Sequence, residues 1–227
     1  MVTYYTALGR LVTKEENGTR IPIVIIDNDE FHMSVDELLV WGSLHWNFLN
    51  KEDLKKEYDR RKSNAHIFSD DSFEQTLERL EIRQLVNCAT DYLAADALYG
   101  LIGKLRIIPI KFSVFDKVTS CAYMYFNKGL PLLECIKTFF GTEVTPNEKN
   151  VLKLSEKARV TAAEIIKCME KNIKSIDNEA DMMDKLYADD DATEDSIITN
   201  SRFSHLKTEV LQAVSNLYLK KKIVFEY

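Results

Sequence analysis

The chain has 227 residues, 45% of them hydrophobic and 29% charged, and a formal net charge of −6 at pH 7. That length accommodates one large domain or two small ones around a sizeable core, and 7 Gly with 4 Pro exclude a β-sandwich of many tight turns and point to helices. The acidic balance excludes a generally phosphate-binding surface, so any nucleic-acid contact must come from local basic patches.

In chain order, residues 3–26 predict a β-hairpin. TYYTALGRLVTK and TRIPIVII are rich in β-branched and aromatic residues, and Glu16-Asn17-Gly18 supplies the turn. IDNDEFHMS breaks that pattern. Ser34 then caps a helix, with Glu37 closing a capping box, and Leu38, Leu39, Trp41, Leu44, Trp46 and Phe48 give it a wide apolar face. Asn50, paired with Asp53, opens KEDLKKEYDRRK as a second helix, and Ser72 opens a third, FEQTLERLEIRQ, which runs into Leu85-Val86. NCATDYLAAD predicts a strand, a turn and a return strand, ALYGLIGKL a short helix, and RIIPIKF an extended segment because Pro109 excludes a helix interior.

Residues 113–140 predict two helices separated at Asn127, Gly129 and Pro131 and rich in aromatics. Beyond a boundary at Gly141 to Pro146, helices are predicted over 147–157 and from Thr161, where Thr161 and Glu164 form a capping box. The acidic stretch 177–195 predicts an exposed loop or weak helix. NSRFSHLKTEVLQAVSNLYL predicts a long amphipathic helix, and KKKIVFEY a terminal strand.

The two halves repeat an order: helix 34–48, capped helix 50–62, long helix 72–84 and a strand, then helix 147–157, capped helix 161–174, long helix 201–219 and a strand. Leu77, Leu80 and Leu85-Val86 align with Val214, Tyr218 and Ile223-Val224. This pattern resembles the recognition-helix-to-wing junction of bacterial winged helix-turn-helix regulators, over about 34–96 and 147–227. Those families often place Gly at a left-handed position before the strand pair, where this chain has Gln84 and Lys222.

The resemblance implies an α+β, mainly α fold. It divides the chain into an N-terminal β-hairpin (1–33), a first winged-helix domain (34–111), a helical linker or dimerisation segment (112–145) and a second winged-helix domain (146–227).

The resemblance also implies a sequence-specific DNA-binding transcriptional regulator. It would be homodimeric, act by occupying double-stranded DNA without chemistry, and be open to regulation by an effector or protein partner that the sequence does not identify. The third helix of each unit would read DNA. The first, DDSFEQTLERLEIR, is net acidic and would need help from Arg83, Gln84 and, on the helix before it, Lys55, Lys56, Arg60, Arg61 and Lys62. The second is basic: Arg202, Lys207, Lys220, Lys221 and Lys222, with Ser204, His205 and Gln212 as groove-compatible polar residues. The competing reading is an acidic tandem winged-helix adaptor that docks proteins and does not bind DNA directly, resembling the accessory subunits of bacterial condensin-type complexes. A plasmid or mobile-element replication protein ranks third.

No enzyme is expected. Walker A, G-x-G-x-x-G, H-E-x-x-H and G-x-S-x-G do not occur. His32, His45, His66 and His205 pair with no other His or Cys, and Cys88, Cys121, Cys135 and Cys168 form no C-x-x-C, so reduced thiols and no cofactor or metal are expected. Asp189-Asp190-Asp191 lacks the spacing of a calcium loop. No signal-peptide pattern and no apolar run of about 18 residues occur, so a cytoplasmic chain without a membrane span is expected.

Overall fold

Strand β1 (Val2–Ala7) stops at Leu8-Gly9, and the reason is local. Gly9 sits at φ +81°, and a Cβ there would lie 2.5 Å from Ile26 Cγ1 and 2.6 Å from the Ile25 carbonyl oxygen, so only glycine fits. The chain turns there into a three-stranded meander of β2 (Arg10–Glu16), β3 (Thr19–Ile26) and β4 (Asp29–His32). Asp27 and Asn28, both left-handed, form its second turn. The hairpin expected over 3–26 is therefore split: β2 pairs with β3, whereas β1 pairs antiparallel with the distant β5 (Val86–Asp91), Tyr4 opposite Ala89. The computed structural model describes residues 1–16, 18–67, 69, 71–110, 143–188 and 192–227; the two helices expected within 113–140 and the acidic triplet 189–191 lie outside them.

The first half continues through α1 (Val35–Leu44), α2 (Lys51–Asn64) and α3 (Phe73–Ile82) to β5. The Ser34 and Glu37 capping box forms, and the Asn50 side chain accepts from the Asp53 N–H at 2.8 Å. After β5 comes α4 (Ala94–Ile102), not the return strand expected within NCATDYLAAD. Burial of Ala97, Tyr99, Leu101 and Ile102 makes this segment a packed helix. β6 (Arg106–Pro109) follows as an extended segment.

The second half runs α5 (Pro146–Leu154), α6 (Ala162–Glu170), α7 (Glu179–Leu186), α8 (Glu194–Ser201), α9 (Lys207–Leu219) and β7 (Ile223–Glu226). The acidic stretch thus contributes α7 and the start of α8. The long helix expected over 201–219 is broken at 202–206, where the Phe203, Ser204 and Lys207 N–H groups make short turns back to the Asn200, Ser201 and Ser204 carbonyls. Arg202, Ser204 and His205 therefore lie in a turn and not on α9.

The halves share a pairing scheme. β1 pairs with β5 and bridges, through Tyr5, to Leu49 between α1 and α2; β6 pairs with β7 and bridges, through Arg106, to Thr161 between α5 and α6. In each half a strand that precedes the helices pairs with the strand after the third or last of them: β1 with β5 and β6 with β7. Neither half shows the two-stranded wing hairpin among the described residues.

One apolar core joins the halves, with Trp41, Tyr218 and Phe225 among its largest fully buried side chains. The Tyr218 and Phe225 rings lie 4.6 Å apart and Phe48 stacks at 5.1 Å on Tyr218, while the Gly9 N–H donates to the Phe225 carbonyl at 2.7 Å. The Trp41 indole N–H donates to the Leu8 carbonyl at 3.0 Å, so this buried ring leaves no donor unpaired. Among the described residues no helix is long and apolar enough to cross a membrane.

Candidate functional site

The basic residues expected to face DNA are mostly bound to carboxylates. Lys55 pairs with Glu74 at 3.0 Å and Lys56 with Asp53 at 3.1 Å. Arg60 and Arg61 both pair with Glu57, at 2.6 and 2.7 Å. Arg202 pairs with Asp91, Lys207 with Asp96 at 2.8 Å and Lys220 with Glu148 at 2.8 Å. Hydrogen bonds from Arg60 and Arg61 pull the Glu57 carboxyl down to about 2. The exposed pairs among these contribute only about 0–1 kcal/mol each to stability, the buried Lys220–Glu148 pair being different in kind, but all offset the local positive potential that phosphate binding requires.

The helix faces tell the same story. The solvent side of α9 carries Thr208, Glu209, Gln212 and Leu219, and its one basic residue, Lys207, is half-buried on Asp96. The solvent side of α3 carries Glu74, Gln75, Glu78 and Ile82. Lys221 is exposed, with its Nζ 5.1 Å from the centre of the Trp46 ring. Lys222 gives its backbone to both neighbours: its N–H donates to the Leu217 carbonyl and its carbonyl accepts from Ile110, each at 2.8 Å. His205 and Gln212 are exposed, and Ser204 Oγ donates to Glu170 at 2.5 Å. These residues are spread over four segments, although Arg61 and Lys221 line one cavity. Lys55, Lys56, Arg60 and Arg61 sit on α2, Arg202, Ser204 and His205 in the α8–α9 turn, Lys207 and Gln212 on α9, and Lys220 to Lys222 before β7.

What the α8–α9 turn presents instead is apolar. Phe203 is 83% exposed, and on the β5–α4 turn Tyr92 is 76% and Leu93 64% exposed. The Asp91–Arg202 and Asp96–Lys207 ion pairs clamp these two turns together. Burial pushes the Tyr99 phenol up to about 12, so it stays a donor; its bond to the Ile198 carbonyl at 2.6 Å fixes α4 against α8 beneath. Three large apolar side chains thus stand in water on two turns joined by ion pairs, and aromatic residues of this kind dominate the energetics of interfaces in general. The sequence pattern concealed them. Phe203 falls at a spacing that a continuous helix would bury, and Tyr92-Leu93 reads as the start of a strand.

A second concave region lies around the end of α1. His45 stacks between Trp41 at 4.3 Å and Trp46 at 3.8 Å. Leu11, Leu38, Leu39, Leu219 and Lys221 help line a cavity of about 650 Å³ against it. Burial, followed by the Lys221 charge, pushes the imidazole down to about 4. Its Nδ1 and the Trp46 indole nitrogen have no hydrogen-bond partner among the described residues. Among the described residues the imidazole is packed by the two indole rings and makes no ion pair.

Among the described residues no cluster of His, Cys, Asp or Glu is placed to hold a metal ion. Burial pushes the Cys168 thiol up to about 12, which leaves it protonated and inert. Comparison with known family models, curated proteins and solved structures finds no match to this chain.

Proposed function

We propose that the chain is a non-enzymatic protein-interaction adaptor that docks a partner through Tyr92, Leu93 and Phe203. The observation that carries this reading is their exposure on two turns locked by the Asp91–Arg202 and Asp96–Lys207 ion pairs. The partner is a protein segment that brings an apolar anchor with a basic rim, complementary to a chain of net charge −6. Such an adaptor matches the acidic tandem pattern noted in the sequence.

The test is selection of a random peptide display library on the full chain. Enriched peptides carrying aromatic or aliphatic residues flanked by Lys or Arg, and lost on Tyr92→Ala/Phe203→Ala, support the reading. No enrichment, or equal binding to the double variant, overturns it. Self-association removed by the same variant would make a second copy the occupant and also overturn it.

The second reading is a DNA-binding regulator, favoured by the repeated helix–helix–helix–strand order and by the exposed Lys221 before β7. Titration with random duplex DNA separates the two. Tight binding with a steep salt dependence replaces the adaptor reading, and no binding at low salt removes DNA as the partner.

A further inference from the structure

A polar cleft of about 370 Å³ separates the β3–β4 turn from the segment joining α5 to α6, a volume at the low end of the roughly 300–1,000 Å³ typical of small-molecule sites. Ile25 and Ile108 supply apolar wall, and the Asp27–Arg159 ion pair closes one side by tying the meander to the second half. Glu226, the last residue of β7, lines this cleft and is only 6% exposed. Among the described residues its carboxylate has no hydrogen bond or ion pair; burial pushes it up, against the guanidinium groups of Arg159, Arg10 and Arg106, which act on it through space. Arg106 faces it across the β6–β7 ladder, and Arg10 lines the same cleft; neither makes an ion pair among the described residues. A buried carboxylate without a donor is costly unless something supplies one. An unpaired guanidinium beside it offers a fork for a second carboxylate.

We propose that this cleft binds a free α-amino acid, its ammonium on Glu226 and its carboxylate on Arg10, with the side chain against Ile25 and Ile108. The charge of the lining selects this class. Three basic and four acidic side chains surround the space, which balances a zwitterion and repels a phosphate or dicarboxylate. No aromatic ring lines it, so a nucleobase has nothing to stack on. The cleft joins elements of both halves and is separate from the Tyr92–Phe203 surface, so it is a place for a small effector to act on a docking protein.

The test is saturation-transfer NMR on the full chain with a pool of the common α-amino acids, and with inorganic phosphate as the control. At least one amino acid is expected to receive saturation. Its affinity should fall about tenfold or more in Glu226→Gln, which keeps the side chain's shape, and in Arg10→Ala, which changes an exposed residue. Arg10→Ala decides the matter should Glu226→Gln fail to fold. Saturation of phosphate and of no amino acid, no transfer at all, or amino-acid binding unchanged in Arg10→Ala, overturns the proposal.

Discussion

Gln84 and Lys221 occupy the same backbone position in the two halves. Both are left-handed, at φ 56° and 59°, just past the ends of α3 and α9. The next N–H in each case returns to a carbonyl in the last helical turn, Leu85 to Leu80 at 2.9 Å and Lys222 to Leu217 at 2.8 Å, which is the closure of a Schellman motif. This sets the internal alignment: Leu80 corresponds to Leu217, not to Tyr218, and the left-handed residue of the second half is Lys221, not Lys222.

A left-handed L-residue carries a steric penalty that glycine avoids. Gln84→Gly is expected to raise the unfolding free energy by about 0.5–1 kcal/mol, after the added entropy of the unfolded chain is subtracted. Lys221→Gly should gain less, because it also removes the ammonium over Trp46. Urea denaturation of the two variants against the parent measures both, and a loss of stability in Gln84→Gly would contradict the strain argument.

Tyr218 makes the polar contact at the centre of the shared core. Its hydroxyl accepts from Thr6 Oγ1 at 3.0 Å and lies 3.3 Å from the carbonyl oxygens of Ala7 and Leu44. Burial pushes the phenol up to about 12, so it remains a neutral donor. Tyr218→Phe keeps the ring against Phe48 and Phe225 but leaves the Thr6 hydroxyl and one carbonyl without this partner. The expected cost is about 1–2 kcal/mol, seen as a lower denaturation midpoint with an unchanged slope. Thr6→Val in the same background should cost less than it does alone, because the Tyr218 contact is already gone and only the Thr6 Oγ1 bond to the Asn47 carbonyl at 3.2 Å remains to be lost.

Local chemistry was readable in the sequence and distant pairing was not. The Ser34, Asn50 and Thr161 caps were recoverable because a cap and its partner lie three residues apart. The strands at Val86 and Ile223 were recoverable because each follows a helix through a polar break. The partner of β1 was hidden, since nothing in VTYYTA specifies VNCATD more than 80 residues away over RLVTKEE nearby. The break at Phe203 was hidden because Phe203, Leu206 and Val210 keep helical spacing. Only the fold shows that Arg202 turns to Asp91 across 111 residues. Lys220 read as an open charge because its partner Glu148 lies 72 residues earlier in the sequence.

His45 gives the fold an acid sensitivity. The imidazole is held neutral down to about 4 in the folded chain, whereas it titrates near 6.5 once unfolded. Between those values the unfolded state binds more protons, so stability falls as pH drops through that window. The largest loss the shift allows is about 3 kcal/mol. His45→Phe keeps a ring between Trp41 and Trp46 and removes the titration. Its unfolding free energy should therefore change less than the parent's between about pH 7 and pH 4; equal slopes would place the imidazole in water.

Lys220 is a structural residue, and this changes how its charge should be tested. The Glu148 side chain is fully buried, and Lys220 Nζ donates to both of its oxygens at 2.8 Å and to the Glu143 carbonyl at 3.0 Å. Burial alone would push the Glu148 carboxyl up, but Lys220 and the Thr145 N–H hold it below its ordinary value. The pair therefore stabilises the fold above the carboxylate's unfolded pKa, and that contribution fades as pH falls through the lower folded value. Lys220→Ala leaves a buried carboxylate without its cation, and about 3 kcal/mol of stability should be lost at neutral pH. Lys220→Ala/Glu148→Ala together should lose less than the two single changes combined. A joint change of Lys220, Lys221 and Lys222 to Ala would then weaken any DNA binding through unfolding. Lys221→Ala alone is the clean probe, because that exposed ammonium contributes only about 0.5–1 kcal/mol through the Trp46 ring and its loss leaves the Lys220–Glu148 pair intact. If Lys221→Ala flattens a measured salt dependence of duplex binding while the denaturation midpoint holds, the cation contacts phosphate. If the salt dependence is unchanged, its role is confined to Trp46.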